Sequence, residues 1–310
     1  MHETDLINWL LAARTPSLRY LTLHRLVGRP ETDWEVQAAW QEMQITGPIP
    51  AILAEQTEAG HWRGERSYYT PKYTSTHWSM LLLSELAADG QDARLRQGAA
   101  FMLEATSKEL GWALEGGRHG LSCFWGNLLR YALHPSYGED PRVLAIVNYL
   151  VHDAEARWRC PYNDGLPCAW GAARGLWGLA ALSAQGRSLE VETAIQSGLA
   201  FLLEDHSLVA ADYPSPGRVH PLWFRLNFPL FYQADILFVL RVLAELGALD
   251  YPGAGPALHW LRTRRKADGR WRGASPFRQR TWAALADQEE TDRWVSLQAA
   301  MVLQQARGVG

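Results

Sequence analysis

Cysteine is scarce in this chain, with only Cys123, Cys160 and Cys168 among 310 residues. An odd, low count in a long chain excludes a secreted disulfide framework and fits a reducing compartment, so a cytoplasmic protein is expected. Charge of one sign is missing too. Thirty Lys and Arg stand against thirty-three Asp and Glu, a net charge of -3, which gives no long-range attraction for nucleic acid or an anionic membrane. Long hydrophobic runs are also absent. The most apolar segments, such as 236–240, are broken by Arg241 and Glu245, far short of the roughly 20 residues of a bilayer span. The first residues carry His2, Glu3 and Asp5 where a signal peptide would place a basic region and then an apolar one. No alternating strand pattern competes with helical spacing. Tryptophan is what the chain has in excess, with 15 residues.

A repeat is visible by eye. Leu121-Ser-Cys-Phe-Trp-Gly126 and Leu166-Pro-Cys-Ala-Trp-Gly171 share a Leu-x-Cys-x-Trp-Gly start and run into apolar segments. Leucine- and alanine-rich stretches ending near Gly90, Gly186 and Gly247 predict helices closed by a glycine in the left-handed conformation. Each is followed by a segment with apolar residues at three and four spacing: 93–103, 140–151, 189–203 and 254–261. A helix apolar on every side must be buried, whereas its amphipathic partner faces water. The alternation therefore predicts inner helices near 17–27, 75–87, 121–133, 168–184, 228–246 and 292–306, wrapped by an outer set. No Pro/Ser/Gly-rich linker divides the chain, so one domain over residues 1–310 is expected, with 1–15 as an N-terminal extension.

The loops after outer helices contain Gln56-Thr-Glu-Ala-Gly60-His-Trp62 and Lys266-Ala-Asp-Gly269-Arg-Trp271, with Arg265 at the Gln position of the second, and a weaker version at Glu109-Leu-Gly111-Trp112. These resemble the Gln-x-x-x-Gly-x-Trp repeats of the squalene cyclase and protein prenyltransferase superfamily. The resemblance covers residues 16 to 306 and implies an all-α fold, an α/α toroid of five to six helical hairpins. It also implies that Gln caps a helix end while Trp packs over the next turn. The catalytic signatures of the superfamily are missing. No Asp-x-Asp-Asp occurs, and Asp164 lies four residues before Cys168, so the prenyltransferase Asp-x-Cys pair has no counterpart. The resemblance therefore transfers shape and cavity position.

In such a barrel the N-terminal ends of inner helices gather at one mouth, where free N–H groups and the helix dipole favour anions and thiolates. Lys72, Tyr73, Thr74, Thr76, His77, His119, Cys123, Cys160, Tyr162, Asn163, Asp164, Cys168, His220, Arg225, Asn227, Glu290, Asp292 and Arg293 are expected there. Cys123 and Cys168 occupy equivalent repeat positions; with His220 or His119 they form a candidate zinc site with an open fourth position. Lanthionine synthetase cyclases, also α/α toroids, hold zinc by two Cys and one His. Their Trp-Cys-x-Gly and Cys-His-Gly motifs are only loosely similar to Cys-x-Trp-Gly here. The alternative is that both cysteines are small packing residues. His77 and Asp235 are further catalytic candidates. Asp235 lies in the most apolar predicted helix, where burial raises a carboxyl pKa toward a general acid; its alternative is a structural partner such as Arg174, Arg130 or Arg241. Trp78, Trp125, Trp170, Phe231, Tyr232 and Trp294 are candidate lining aromatics, suited to a polyisoprenoid or a cationic intermediate. Arg225, Arg278 and Arg280 are candidates to grip a diphosphate or carboxylate.

The expected function is to bind a hydrophobic, isoprenoid-type small molecule in a Trp-rich central cavity, as a cyclase- or transferase-like protein. One alternative is a zinc-dependent hydrolase or thiol-addition enzyme using Cys123, Cys168 and a His. Another is a noncatalytic protein-binding scaffold, which an interior without a pocket would favour.

Overall fold

Residues 76–83 are apolar or small on every side, and all of them are buried. The computed structural model, which describes residues 2–64, 67–285 and 287–308, is built around segments of this kind. In chain order the helices are α1 (His2–Leu11), α2 (Pro16–Leu21) running into a π turn at Thr22–Leu26, α3 (Trp34–Ile45), α4 (Pro48–Leu53), α5 (Thr76–Glu85), α6 (Ala93–Glu115), α7 (Ser122–Leu133), α8 (Pro141–Glu155), α9 (Ala169–Ala180), α10 (Leu189–Leu203), α11 (Ile236–Leu246), α12 (Ala254–Thr263) and α13 (Gln288–Gly308). Among the described residues the only β pairing is two isolated bridges, Arg159 with Pro167 and Asn227 with Ala274. The fold is all-α. Among the described residues no helix is long and apolar enough to cross a membrane.

Helices α5, α7, α9, α11 and α13 contact one another in succession, and α13 also contacts the π turn; α6, α8 and α10 form a second row packed on the first. The difference between the rows is written in their sequences. In α9 the buried residues run without a break from Gly171 to Leu179. In α6 they are Leu95, Gly98, Ala99, Met102, Leu103, Thr106 and Leu110, the three-and-four stripe of a helix with one wet face. Side-chain caps fix the starts of the second row: Asp92 accepts from the Arg94 N–H, Asp140 from Arg142 and Ser188 from Val191, each satisfying a donor with no partner inside its helix. One hydrophobic cluster runs from Leu6 to Leu303. Leu6 and Leu10 of α1 belong to it.

The two cysteine-bearing repeats begin α7 and α9, the most extensively packed helix pair in the molecule. Their axes come so close that a Cβ on Gly126 would lie 2.1 Å from the Arg174 carbonyl oxygen, and one on Gly178 would lie 2.6 Å from that of Gly126. Glycine is present there for backbone proximity.

The two full Gln/Arg-x-x-x-Gly-x-Trp segments build the same local structure. Trp62 Nε1 donates to the Ile52 carbonyl at 2.7 Å and Trp271 Nε1 to the Leu261 carbonyl at 2.9 Å. Gln56 Nε2 donates to Gly60 O and Arg265 Nε to Gly269 O. Each indole's own backbone N–H is received by a first-row hydroxyl, Thr76 of α5 or Ser296 of α13. Arg265 thus replaces Gln by supplying the same donor. The third expected copy, Glu109 to Trp112, is not a loop. It lies inside α6, which continues twelve residues beyond the expected end at 103, and Trp112 is exposed.

Three further expectations are corrected. Only Gly247 is a left-handed helix end (φ 69°). At the end of α5 that conformation falls on Ala87 (φ 59°), and Gly90 instead makes room for the His134 carbonyl, 2.4 Å from where its Cβ would sit. After α9, Gly186 lies in a separate 3-10 turn. The helix expected from 228 begins only at Ile236, because Pro229 cannot donate within a helix and Asp235 is the N-cap.

Residues 226–235 cross the interior without helical hydrogen bonds, nearly all of them buried. Buried irregular backbone needs donors from elsewhere. Arg174 supplies them: its Nε and Nη2 donate to the Gln233 carbonyl at 3.0 and 2.7 Å, while Asn127 Nδ2 donates to Phe231 O at 2.9 Å. The Arg174 guanidinium is fully buried, lies 3.8 Å from the Phe238 ring centroid, and burial lowers its pKa to about 9. Ion pairs between first-row helices complete this region, Arg130 with Glu245 and Arg241 with Glu85.

Candidate functional site

The starts of α7 and α9, Trp78 of α5 and Tyr232 just before α11 open onto one cavity of about 860 Å³. Its remaining wall comes from the loops at 67–72, 160–163 and 213–223. The first turns of α5, α7 and α9 lie on its wall, whereas α11 reaches it only through Tyr232 and α13 contributes no lining residue.

Aromatic rings dominate the wall, and most are fixed by their neighbours, the exposed Tyr162 at the rim being different. Trp78 donates its indole N–H to the Tyr69 carbonyl at 2.9 Å and meets the Tyr69 ring edge-on at 4.7 Å. Phe124 packs edge-on against Trp125 at 4.9 Å. Trp223 Nε1 donates to Leu208 O and the Tyr213 hydroxyl to Leu202 O, both at 2.8 Å. Trp170 meets Tyr232 edge-on at 6.1 Å. The positive charges on the lining are Lys72, whose Nζ lies 5.1 Å from the Tyr232 ring centroid and 5.6 Å from that of Tyr69, and Arg218. Glu109 is the lining carboxylate and is engaged by the Tyr68 hydroxyl at 2.7 Å.

All three cysteines line this cavity. The bridge between Arg159 and Pro167 pairs two short extended segments: Cys160 N–H donates to Leu166 O at 3.1 Å and Cys168 N–H to Trp158 O at 2.9 Å. This register sets Cys160 and Cys168 side by side on the bridge. The neighbouring Cys168 thiol, helped by the N–H groups of Tyr162 and Leu121, holds the Cys160 thiol below the usual thiol range. The Cys160 thiol, together with burial, holds Cys168 above it. Cys168 is also the N-cap of α9, its Sγ accepting from Gly171 N–H at 3.4 Å. Burial pushes the Cys123 thiol up to about 12.

Of the residues expected at the site, Lys72, Trp78, Cys123, Trp125, Cys160, Tyr162, Asn163, Cys168, Trp170, His220 and Tyr232 line the cavity, whereas Tyr73, Thr74, Thr76, His119, Asp164, Asn227, Glu290, Asp292 and Arg293 do not. Cys123, Cys168 and His220 nevertheless do not make a metal centre: among the described residues no group of three or more His, Cys, Asp or Glu side chains is placed to hold an ion. Phe231 and Trp294 belong to the core. Phe231 packs on Tyr73 and Phe277, and Trp294 stacks on Phe228 at 4.5 Å. Arg225, Arg278 and Arg280 are not on the lining; Arg278 is engaged with Gln288, and Arg280 lies over the Tyr73 ring.

Two catalytic candidates are structural. Asp235 accepts from Phe238 N–H at 2.7 Å, Asn227 N–H at 2.9 Å and Asn227 Nδ2 at 2.7 Å. Burial pushes its carboxyl up to about 6, as the apolar setting implied. Its oxygens, however, cap α11 and bind the turn at 227, and it is not part of the cavity wall. His77 is fully buried, stacks on Phe124 and lies 3.0 Å from the Tyr131 hydroxyl through Nδ1. Burial, with Arg174 nearby, lowers its pKa to about 3, so it is a neutral core residue.

Sequence reasoning missed Tyr68, Tyr69 and Trp223, which sit on a loop and a 3-10 turn without periodicity, and passed over the Cys160–Cys168 pair. The signal for the tyrosines was their position just ahead of α5. No family model, curated protein or solved structure matches the chain.

Proposed function

We propose that the chain is an α/α toroid akin in shape to the terpenoid cyclase and prenyltransferase superfamily, and that it binds a hydrophobic, isoprenoid-type small molecule bearing an anionic head. The observation that carries this reading is the aromatic cavity of about 860 Å³ at the helix N-terminal ends, within the roughly 300–1,000 Å³ of small-molecule pockets. Ring closure is supported by contacts from late elements back to α5: Trp282, ahead of α13, donates to Ser79 of α5, and Arg241 of α11 pairs with Glu85 of α5. The twin Trp62 and Trp271 arrangements fit the repeat of that superfamily. Rings offer an apolar chain flat, rigid contact area, while Lys72 and Arg218 suit a phosphate or carboxylate. The cavity also favours ligand binding over a protein-binding scaffold with a filled interior. A reducing, cytoplasmic setting accords with three unpaired cysteines.

Titration of the intrinsic tryptophan fluorescence with a fifteen-carbon prenyl diphosphate and the matching alcohol tests this. Saturable quenching is expected, at least about tenfold weaker in Trp125→Ala or Trp170→Ala, with the diphosphate preferred until Lys72 and Arg218 are both replaced by Ala. Absence of saturable binding for both probes would overturn the reading.

A further inference from the structure

We propose that Cys160 and Cys168 form a thiol–disulfide exchange pair in the cavity wall, acting on a small disulfide that enters the cavity. This rests on the reading that the cavity admits a small molecule and adds a chemistry to it. Three observations converge. Cys160 and Cys168 flank the Arg159–Pro167 bridge on paired segments, Cys160 N–H donating to Leu166 O and Cys168 N–H to Trp158 O, so a resolving thiol is in place beside an attacking one. The neighbouring Cys168 thiol, with the N–H groups of Tyr162 and Leu121, holds the Cys160 thiol below the usual thiol range, which favours a thiolate. Both side chains face the aromatic cavity, where flat rings can hold the organic group of a disulfide.

The step balances without an outside oxidant. The Cys160 thiolate attacks one sulfur of the substrate disulfide, forming a mixed disulfide and expelling the first thiolate, which takes up the proton given by Cys168. The Cys168 thiolate then attacks Cys160 Sγ. The S–S bond between Cys160 and Cys168 forms, the second substrate thiolate leaves, and a solvent proton completes it. One disulfide has been reduced to two thiols and the Cys160/Cys168 dithiol oxidised to a disulfide. Cys123, with its thiol raised, takes no part.

The probe is the aromatic disulfide 5,5′-dithiobis(2-nitrobenzoate), added to the reduced full-length protein. Wild type is expected to release two equivalents of thionitrobenzoate rapidly and to finish with an intact mass two hydrogens lower and no adduct at Cys160 or Cys168. Cys168→Ser should stop at one equivalent, with the adduct mapped to Cys160. Cys160→Ser should react at least about tenfold more slowly, and Cys123→Ser should behave as wild type. Persistent adducts on both cysteines of wild type, or an undiminished rate in Cys160→Ser, would overturn the pair. Binding of the prenyl alcohol, measured on the same samples, separates the two readings: exchange lost with alcohol binding intact removes this inference alone, and loss of both removes the ligand cavity as well.

Discussion

Gly126 and Gly178 meet backbone to backbone where α7 crosses α9. A Cβ at either position would come within 2.6 Å of a main-chain atom of the facing helix. The two repeats that share the Leu-x-Cys-x-Trp-Gly start are locked together at this point, and their alignment places Trp125 and Trp170 on the same cavity wall.

Gly126→Ala should therefore destabilise the fold by about 2–4 kcal/mol, because backbone cannot yield as a flexible side chain does. Gly111 provides the opposite sign. It lies within α6 with nothing within 4 Å of where its Cβ would be, so Gly111→Ala should stabilise by about 0.5–1 kcal/mol through helix propensity. Urea titration of both variants checks the pair.

Arg174→Met should cost about 2–4 kcal/mol, since the Gln233 carbonyl loses both of its guanidinium donors inside the protein. Arg174→Lys should not restore stability, because one ammonium cannot reproduce the planar fork that reaches Gln233 and Asn127 together. A comparable urea midpoint for wild type and Arg174→Lys would refute this account of the residue.

His77 gives the fold an acid-sensitive element. Its pKa falls from 6.5 to about 3 on burial, so the folded state favours the neutral ring. The stabilisation is present above pH 6.5 and is lost as pH falls toward 3, amounting to about 4–5 kcal/mol over that window. His77→Phe is expected to be less stable than wild type at pH 7, with Tyr131 left unpaired, but with a flatter decline between pH 6.5 and 3. Thermal unfolding across that range supplies the measurement.

Trp62→Phe and Trp271→Phe should each cost about 1–3 kcal/mol by removing the indole donor, which leaves the Ile52 and Leu261 carbonyls only the long bonds from Glu55 N–H and Arg264 N–H. Arg265→Gln should change stability by less than about 1 kcal/mol, because Gln56 already shows that an amide can donate to the matching glycine carbonyl. Differential scanning calorimetry distinguishes these outcomes.

The helical rows were legible because burial on all sides and burial on one side leave different spacings in the sequence; the limits of α10 coincide with the expected 189–203. The start of α11 was not. Phe231, Tyr232 and Ala234 are as apolar as the helix that follows, and composition does not reveal that Arg174 and Asn127, from other helices, feed hydrogen bonds to that stretch. Asp235 was conspicuous for the right reason, burial, but a cap and a general acid look alike until their neighbours are known. The Cys160–Cys168 contact depends on a two-segment turn that carries no periodic signal, while the basic loop at 272–280 attracted attention by charge alone although its arginines face Gln288 and the Tyr73 ring.

Tyr232 faces the cavity while its neighbours Phe231 and Gln233 are anchored through their carbonyls to α7 and α9. That strip of wall is riveted from behind on both sides of the ring that a guest would press against. On that side a bound molecule would meet a mould rather than a glove, a face that selects by outline because its backbone is held from behind.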